Sequence, residues 1–220
     1  MTAAAEKATL IWDLPTRLFH WSLVAAVAAS WWTAKYEESE THAAIGYAVL
    51  GLILFRLIWG IAGSETSQLA ALAAPPLQVV GHLQRLFRKG KLQHEAGHNA
   101  AGGYAVLLLL ACITIQAVTG LFLYDEELFW GPLNDLVSGR TAERLRDLHR
   151  WNFNVLQGLV VFHLLAILFY GLAKGLNLVR PMVSGRAFLP PGSSEPHTAP
   201  ISRALAAAAA SGAIIWWAFF

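Results

Sequence analysis

His149 and His163 stand fourteen residues apart in the stretch HRWNFNVLQGLVVFHLLAILFY. As a helix, that spacing falls ~40° short of four full turns and rises roughly 21 Å. Both imidazoles then point to one side of one helix, about two thirds of a hydrocarbon core apart. A neutral imidazole offers one nitrogen to a metal and the other to a hydrogen-bond partner, and a polar ring inside an apolar helix needs such partners. Two rings on one stripe predict two buried ligands, one above the other. His20 and His42 lie in or at the start of earlier apolar runs.

The elements that must position these residues are membrane helices. Of the 220 residues, 56% are hydrophobic and 14% charged, and the mean hydropathy is +0.48. A lipid membrane is therefore the expected surrounding. The formal net charge of +2, with basic residues beside apolar segments, argues against a nucleic-acid partner. The spacing predicts spans at Leu18–Ala34, His42–Ile61, Gly102–Tyr124 and His149–Ala173, with a fifth, C-terminal span at Ala204–Phe220. The first run follows basic residues as a secretory leader would, but it is read as a retained span. The fold class is thus all-α membrane protein, a four-helix transmembrane bundle plus a fifth C-terminal transmembrane helix. Its parts are a transmembrane domain at 1–188, a linker at 189–203 and a hydrophobic helix at 204–220.

The connections carry the charge. Residues 35–41 and 125–148 are acidic loops of net −2 and −3, the second with a short helix at TAERLRDL. The 62–101 connection places Leu77, Val80, Leu83 and Phe87 on one helical face, near Arg85, Arg88, Lys89 and Lys91. It reads as an interfacial helix on an anionic leaflet. His94 and His98 have an i, i+4 spacing without a third ligand, so a solvated loop is expected; His197 is expected to be solvated as well. Cys112 reads as packing. Lysines and arginines number ten on the side of the N-terminus and four on the other. That bias puts the N-terminus in the cytoplasm.

Topology then fixes depth. His20 and His163 fall near the cytoplasmic side, His42 and His149 near the outer side. Each pair suits one planar, six-coordinate iron, so two non-covalent b haems with bis-histidine ligation are expected, pairs His20–His163 and His42–His149. No Cys-x-x-Cys-His site for a covalent haem exists. Gly46, one turn below His42, leaves room for a flat ligand or serves close helix packing. Arg17 and Arg56 either counter cytoplasmic-side propionates or anchor at the interface. A non-redox metal transporter or scaffold is the rival class, but it would usually add carboxylates, cysteines or methionines within the spans.

The stretches WDLPTRLFHW, HAAIGYAVLGLILFRLIWG, GHNAAGGYAVLLLL, QAVTGLF and LH-x13-H, followed by NLVRPMVSGR, resemble the bacterial cytochrome b561 family. That family includes the cytochrome b subunits of nickel–iron hydrogenases. The resemblance covers about residues 9–188. It implies a four-helix di-haem core exchanging electrons with the quinone pool, and it carries the family's ligands to His20, His42, His149 and His163. The expected function is electron transfer between quinone and a periplasmic partner, either a c-type cytochrome or a dehydrogenase such as a hydrogenase that this chain anchors.

Overall fold

Asp13 explains where the first long helix begins. In the computed structural model, which describes residues 8–36, 38–125 and 129–220, its Oδ1 accepts the Thr16 backbone N–H at 2.8 Å. This is an N-cap, with Pro15 in the first turn where its missing N–H costs nothing. Its Oδ2 accepts Trp59 Nε1 at 3.2 Å and Ser67 Oγ at 3.5 Å, and the Thr16 and Ser67 hydroxyls meet at 2.6 Å. One buried carboxylate thus caps α1 (Leu14–Lys35) and ties it to the end of α2 (Ser39–Ala62).

After two 3-10 turns, the amphipathic α3 (Pro76–Phe87) lies in the 62–101 connection where the sequence places it. Asn99 then caps α4 (Ala100–Gly120), its Oδ1 accepting Gly102 N–H at 2.8 Å. A hairpin of two-residue strands follows, β2 (Tyr124–Asp125) against β3 (Phe129–Trp130). α5 runs unbroken from Gly139 to Lys174. The expected short helix at TAERLRDL and the span after it are therefore one helix, because no proline or turn signal interrupts them. At about 54 Å, α5 exceeds a hydrocarbon core of roughly 30 Å, and its charged first third has no place in lipid. α6 (Val179–Ser184) ends at Gly185, whose φ of 81° favours glycine. β4 (Arg186–Phe188) pairs antiparallel with β1 (Ala8–Leu10). α7 (Ile201–Phe219) closes the chain.

The protein is an all-α membrane bundle. Among the described residues, four helices are long and apolar enough to cross a membrane, namely α2, α4, α5 and α7. The expected C-terminal span is one of them. The expected first span, α1, is long enough at 22 residues. Arg17, His20, two serines and three tryptophans dilute its apolar character. α2 starts at Ser39, which shortens the expected acidic loop at 35–41. Of that loop and the one at 125–148, Glu37 and Glu126–Leu128 lie outside the described residues.

The chain forms two compact units, and the long helices divide between them. One holds residues 1–18, 57–108 and 161–205. Its core is Ile11, Trp12, Ala187 and Leu189 around the β1–β4 pair. The other holds 19–56, 109–160 and 206–220. There Val49, Ile53, Cys112, Ile113 and Leu156 pack together, with Cys112 serving as packing. In this second unit α7 lies on α2, with Ile215 against Gly51 and Phe219 stacked on Tyr47. Large apolar side chains such as Phe162, Leu168 and Leu172 face outward on α5, as the absence of water around a membrane helix permits.

Replacing Asp13 by alanine removes a cap and takes the carboxylate from the buried Trp59 N–H. We expect a loss of about 2 kcal/mol, read as a lowered unfolding temperature in detergent; an unchanged temperature would show that the carboxylate is not a clamp.

Candidate functional site

The site is built in the second unit from the facing parts of α1, α2, α4 and α5. His42 sits in the first turn of α2, and its Nδ1 lies 2.9 Å from the Ser30 carbonyl of α1. A carbonyl only accepts, so Nδ1 carries the proton. Thr33 Oγ1, 3.3 Å from the same nitrogen, spends its own proton on the Ala29 carbonyl at 2.9 Å. On α5, His149 Nδ1 lies 3.0 Å from Thr119 Oγ1 of α4. That hydroxyl donates to the Ile115 carbonyl at 2.7 Å, which leaves its oxygen to accept from His149. Both rings therefore keep Nε2 as a free lone pair.

The two rings face each other, with centroids 6.5 Å apart and planes at 77°. Two imidazole–metal bonds of about 2 Å on opposite sides of one ion leave ring centres roughly 6 Å apart. Glycines make the space. A Cβ at Gly120 would stand 3.4 Å from His149 Cε1, whereas one at Gly46 would meet nothing within 4 Å. Gly46 opens onto a cavity of about 650 Å3 whose lining includes both histidines and the apolar Val27, Val49, Ile113 and Leu156. That size suits a cofactor-sized ligand. Asn152, one turn past His149, donates to Gln116 Oε1 at 2.7 Å and to the Cys112 carbonyl at 2.9 Å. It locks α5 to α4 in this register. The donor set and the room fit a planar group carrying a six-coordinate metal.

Sequence reasoning passed over part of this lining. Arg146 and Arg150 both line the cavity, and Arg146 donates to the Tyr124 carbonyl at 3.0 Å while stacking on that ring. Arg146 precedes His149 by nearly one turn, a signal of shared side that was readable. The roles of Ser30 and Thr33 were not, since nothing in their spacing points to His42.

The second expected pair divides between the units. His20 is half-buried on α1, edge-on to Trp21. Arg56 is 4% exposed, so it does not reach out to water. Both belong to the unit of His42 and His149, whereas His163, half-buried on α5, and Arg17 belong to the other. Arg17 Nη1 donates to the Val183 carbonyl of α6 at 2.6 Å. His94 and His98 depart from the solvated loop expected of them. Both are partly buried, and His98 packs against Trp12 with ring centroids 4.6 Å apart, because the indole offers an apolar face to the loop. Burial pushes the His94 imidazole below the ordinary histidine range. His197 is exposed as expected, although its backbone N–H is held by Glu65 Oε2 at 2.9 Å.

The family model of prokaryotic cytochrome b561 matches residues 11–185. This chain belongs to that family. No curated protein and no solved structure matches it. It is accordingly a multi-pass membrane cytochrome that binds b-type haem and carries electrons across the membrane. Within this prokaryotic cytochrome b561, the cavity between His42 and His149 has the chemistry such a group requires.

Outer partners that orient a liganding histidine are typically worth 10–100-fold in metal affinity. We expect Thr119→Val to weaken haem binding by about that factor, measured by titrating haem into apoprotein; unchanged affinity would show that His149 is held without the hydroxyl.

Proposed function

We propose that this cytochrome passes electrons through two b haems between the quinone pool and a redox partner in the periplasm. The facing rings of His42 and His149, each with Nδ1 engaged and Nε2 free, carry this reading. Bound there, a b haem supplies a reversible one-electron iron centre. His42 and His149 would hold its iron from two sides and would leave no position for oxygen. Ser30 and Thr119 hold the rings in the required tautomer, Gly46 leaves the macrocycle room, and Arg146 and Arg150 supply positive charge at the cavity. His20 and His163, paired by depth along their helices alone, would be the ligands of the second haem, and Arg17 and Arg56 would counter its propionates.

The excess of lysine and arginine on one side supports an N-terminus in the cytoplasm, with the chain in the inner membrane. His42 and His149 then lie toward the periplasm, as do the two acidic connections. An acidic face recruits a basic c-type cytochrome by electrostatic steering. The alternative partner is a periplasmic dehydrogenase, a hydrogenase among them, that this chain anchors; co-purification of an iron–sulfur subunit would favour it. Residues 1–188 hold the haem domain in this reading, and 189–203 link it to the helix at 204–220.

Purified protein should yield two b haems per chain in a pyridine haemochrome assay, and His149→Ala should yield one. Retention of both would refute the pairing of His42 with His149. Electron transfer to a basic c-type cytochrome should slow several-fold as ionic strength rises through the range where the Debye length falls below about 10 Å; a rate indifferent to salt would show that the acidic face steers no such partner.

A further inference from the structure

α3 presents three faces. Leu77, Val80, Leu83 and Phe87 point outward and are exposed. Gln78, Gly81 and Arg85 line a cavity of about 570 Å3 together with Glu95 and His98. His82 turns inward and is 2% exposed. The haem sites do not use it. Its Nε2 lies 2.6 Å from the Tyr170 hydroxyl of α5, which is also buried and accepts a hydrogen bond from Asn99 Nδ2 at 3.3 Å. Its Nδ1 has no hydrogen bond among the described residues. Glu95 Oε1 stands 3.9 Å from that nitrogen, on a side chain 50% exposed.

A carboxylate at the water, a buried imidazole and a buried phenol thus stand in line, and each can take up and release a proton. All three belong to one unit, which also contains His163. Tyr170 follows His163 by seven residues on α5, which is ~20° short of two turns and about 10 Å along the same side. A mere tether between α3 and α5 would need only the Nε2 bond. It would not call for a buried ring with its other nitrogen open toward a carboxylate.

We propose that Glu95, His82 and Tyr170 form a proton-transfer line that takes up a proton from water when an electron arrives in this unit. The proposal rests on the electron-transfer reading. For one electron gained, one proton passes from water through Glu95 to His82 Nδ1, so the net charge of the unit is unchanged. When two electrons leave together for an acceptor of the quinone class, two protons follow. Each time, the Tyr170 O–H proton moves inward, the His82 Nε2 proton replaces it, and the acceptor departs as the quinol.

The charges facing His82 set the sign. Burial pushes its imidazole below the ordinary histidine range, Glu95 acts upward, and Arg85 on its own helix acts downward; Tyr170 is neutral near neutral pH. The ring is therefore neutral before the electron arrives. Added negative charge raises its proton affinity. Between the two resulting pKa values, reduction binds a proton, so the midpoint potential falls as pH rises.

The test is redox titration of the haem spectrum in purified holoprotein from about pH 5 to pH 9, with quinone reduction followed in parallel. The wild type should show a window in which the potential falls by up to about 59 mV per pH unit, the one-electron equivalent of a tenfold change. His82→Gln, which keeps a hydrogen-bonding side chain, should flatten that window. Tyr170→Phe and Glu95→Gln should keep a pH-dependent window, displaced to lower pH in Glu95→Gln because the carboxylate no longer favours the charged ring, yet slow quinone reduction at least tenfold at alkaline pH. Glu95 is half-exposed, so its variant should fold even if a buried one does not. Two haems per chain with no pH-dependent window, or a window and rate that survive in His82→Gln, would overturn the proton line alone. An absence of haem would overturn the electron-transfer reading on which it rests.

Discussion

An imidazole inside an apolar helix must have its second nitrogen satisfied by a particular neighbour, because lipid offers none. The candidate site is arranged by that requirement. His42 meets it across the α1–α2 junction with the Ser30 carbonyl. His149 meets it across the α4–α5 pair with Thr119, whose own proton is already spent on its helix. Each bond selects a tautomer and leaves Nε2 as a lone pair. It also sets the register of two helices. Gly120 lies close against His149, and Asn152 repeats the α4–α5 lock one turn further along. The geometry for holding a metal therefore arises from the way buried polar groups are paired.

The other unit obeys the same rule with different chemistry. Asp13 gathers a backbone N–H, an indole N–H and a hydroxyl. Lys174, at the end of α5, is buried and donates to the Arg88 carbonyl at 2.7 Å. Arg17 holds the Val183 carbonyl, and Asn99 both caps α4 and reaches Tyr170. Such tethers suit a part of a membrane protein where helices end and connecting chain turns back on itself. Exposed backbone groups there need partners, and long-range apolar packing is thin. His82 belongs to this set through its Nε2, which meets the buried Tyr170 hydroxyl.

Charge is kept away from the apolar layer by length. α5 is about 24 Å longer than a hydrocarbon core needs, and its acids and its arginines up to Arg150 are concentrated before the apolar run begins. Two of those arginines, Arg146 and Arg150, turn to the cavity. The same helix thus supplies a ligand-bearing face and the cations beside it. An anionic group within the cavity would meet positive charge without any cation having to enter the spans.

Periodicity and depth are local properties, and the sequence by itself determined the features that depend on them. The apolar runs located the long helices to within a few residues, except for the start of α5, the histidine spacing put His149 and His163 on one stripe, and the count along each helix matched His42 with His149. The amphipathic pattern found α3. Tertiary structure decided the features that depend on hydrogen bonds between segments far apart in the chain, which leave no period to read. Those are the hold of Ser30 on His42 and of Thr119 on His149, the grip of Asp13 on Trp59, the packing of His98 on Trp12 and the burial of His82 against Tyr170. It also decided that the loop helix and the span at His149 are one helix, since the sequence there contains no stop and only the intact hydrogen-bond ladder shows that none was used. A residue's type and spacing say that it needs a partner; the fold alone brings the partner to it.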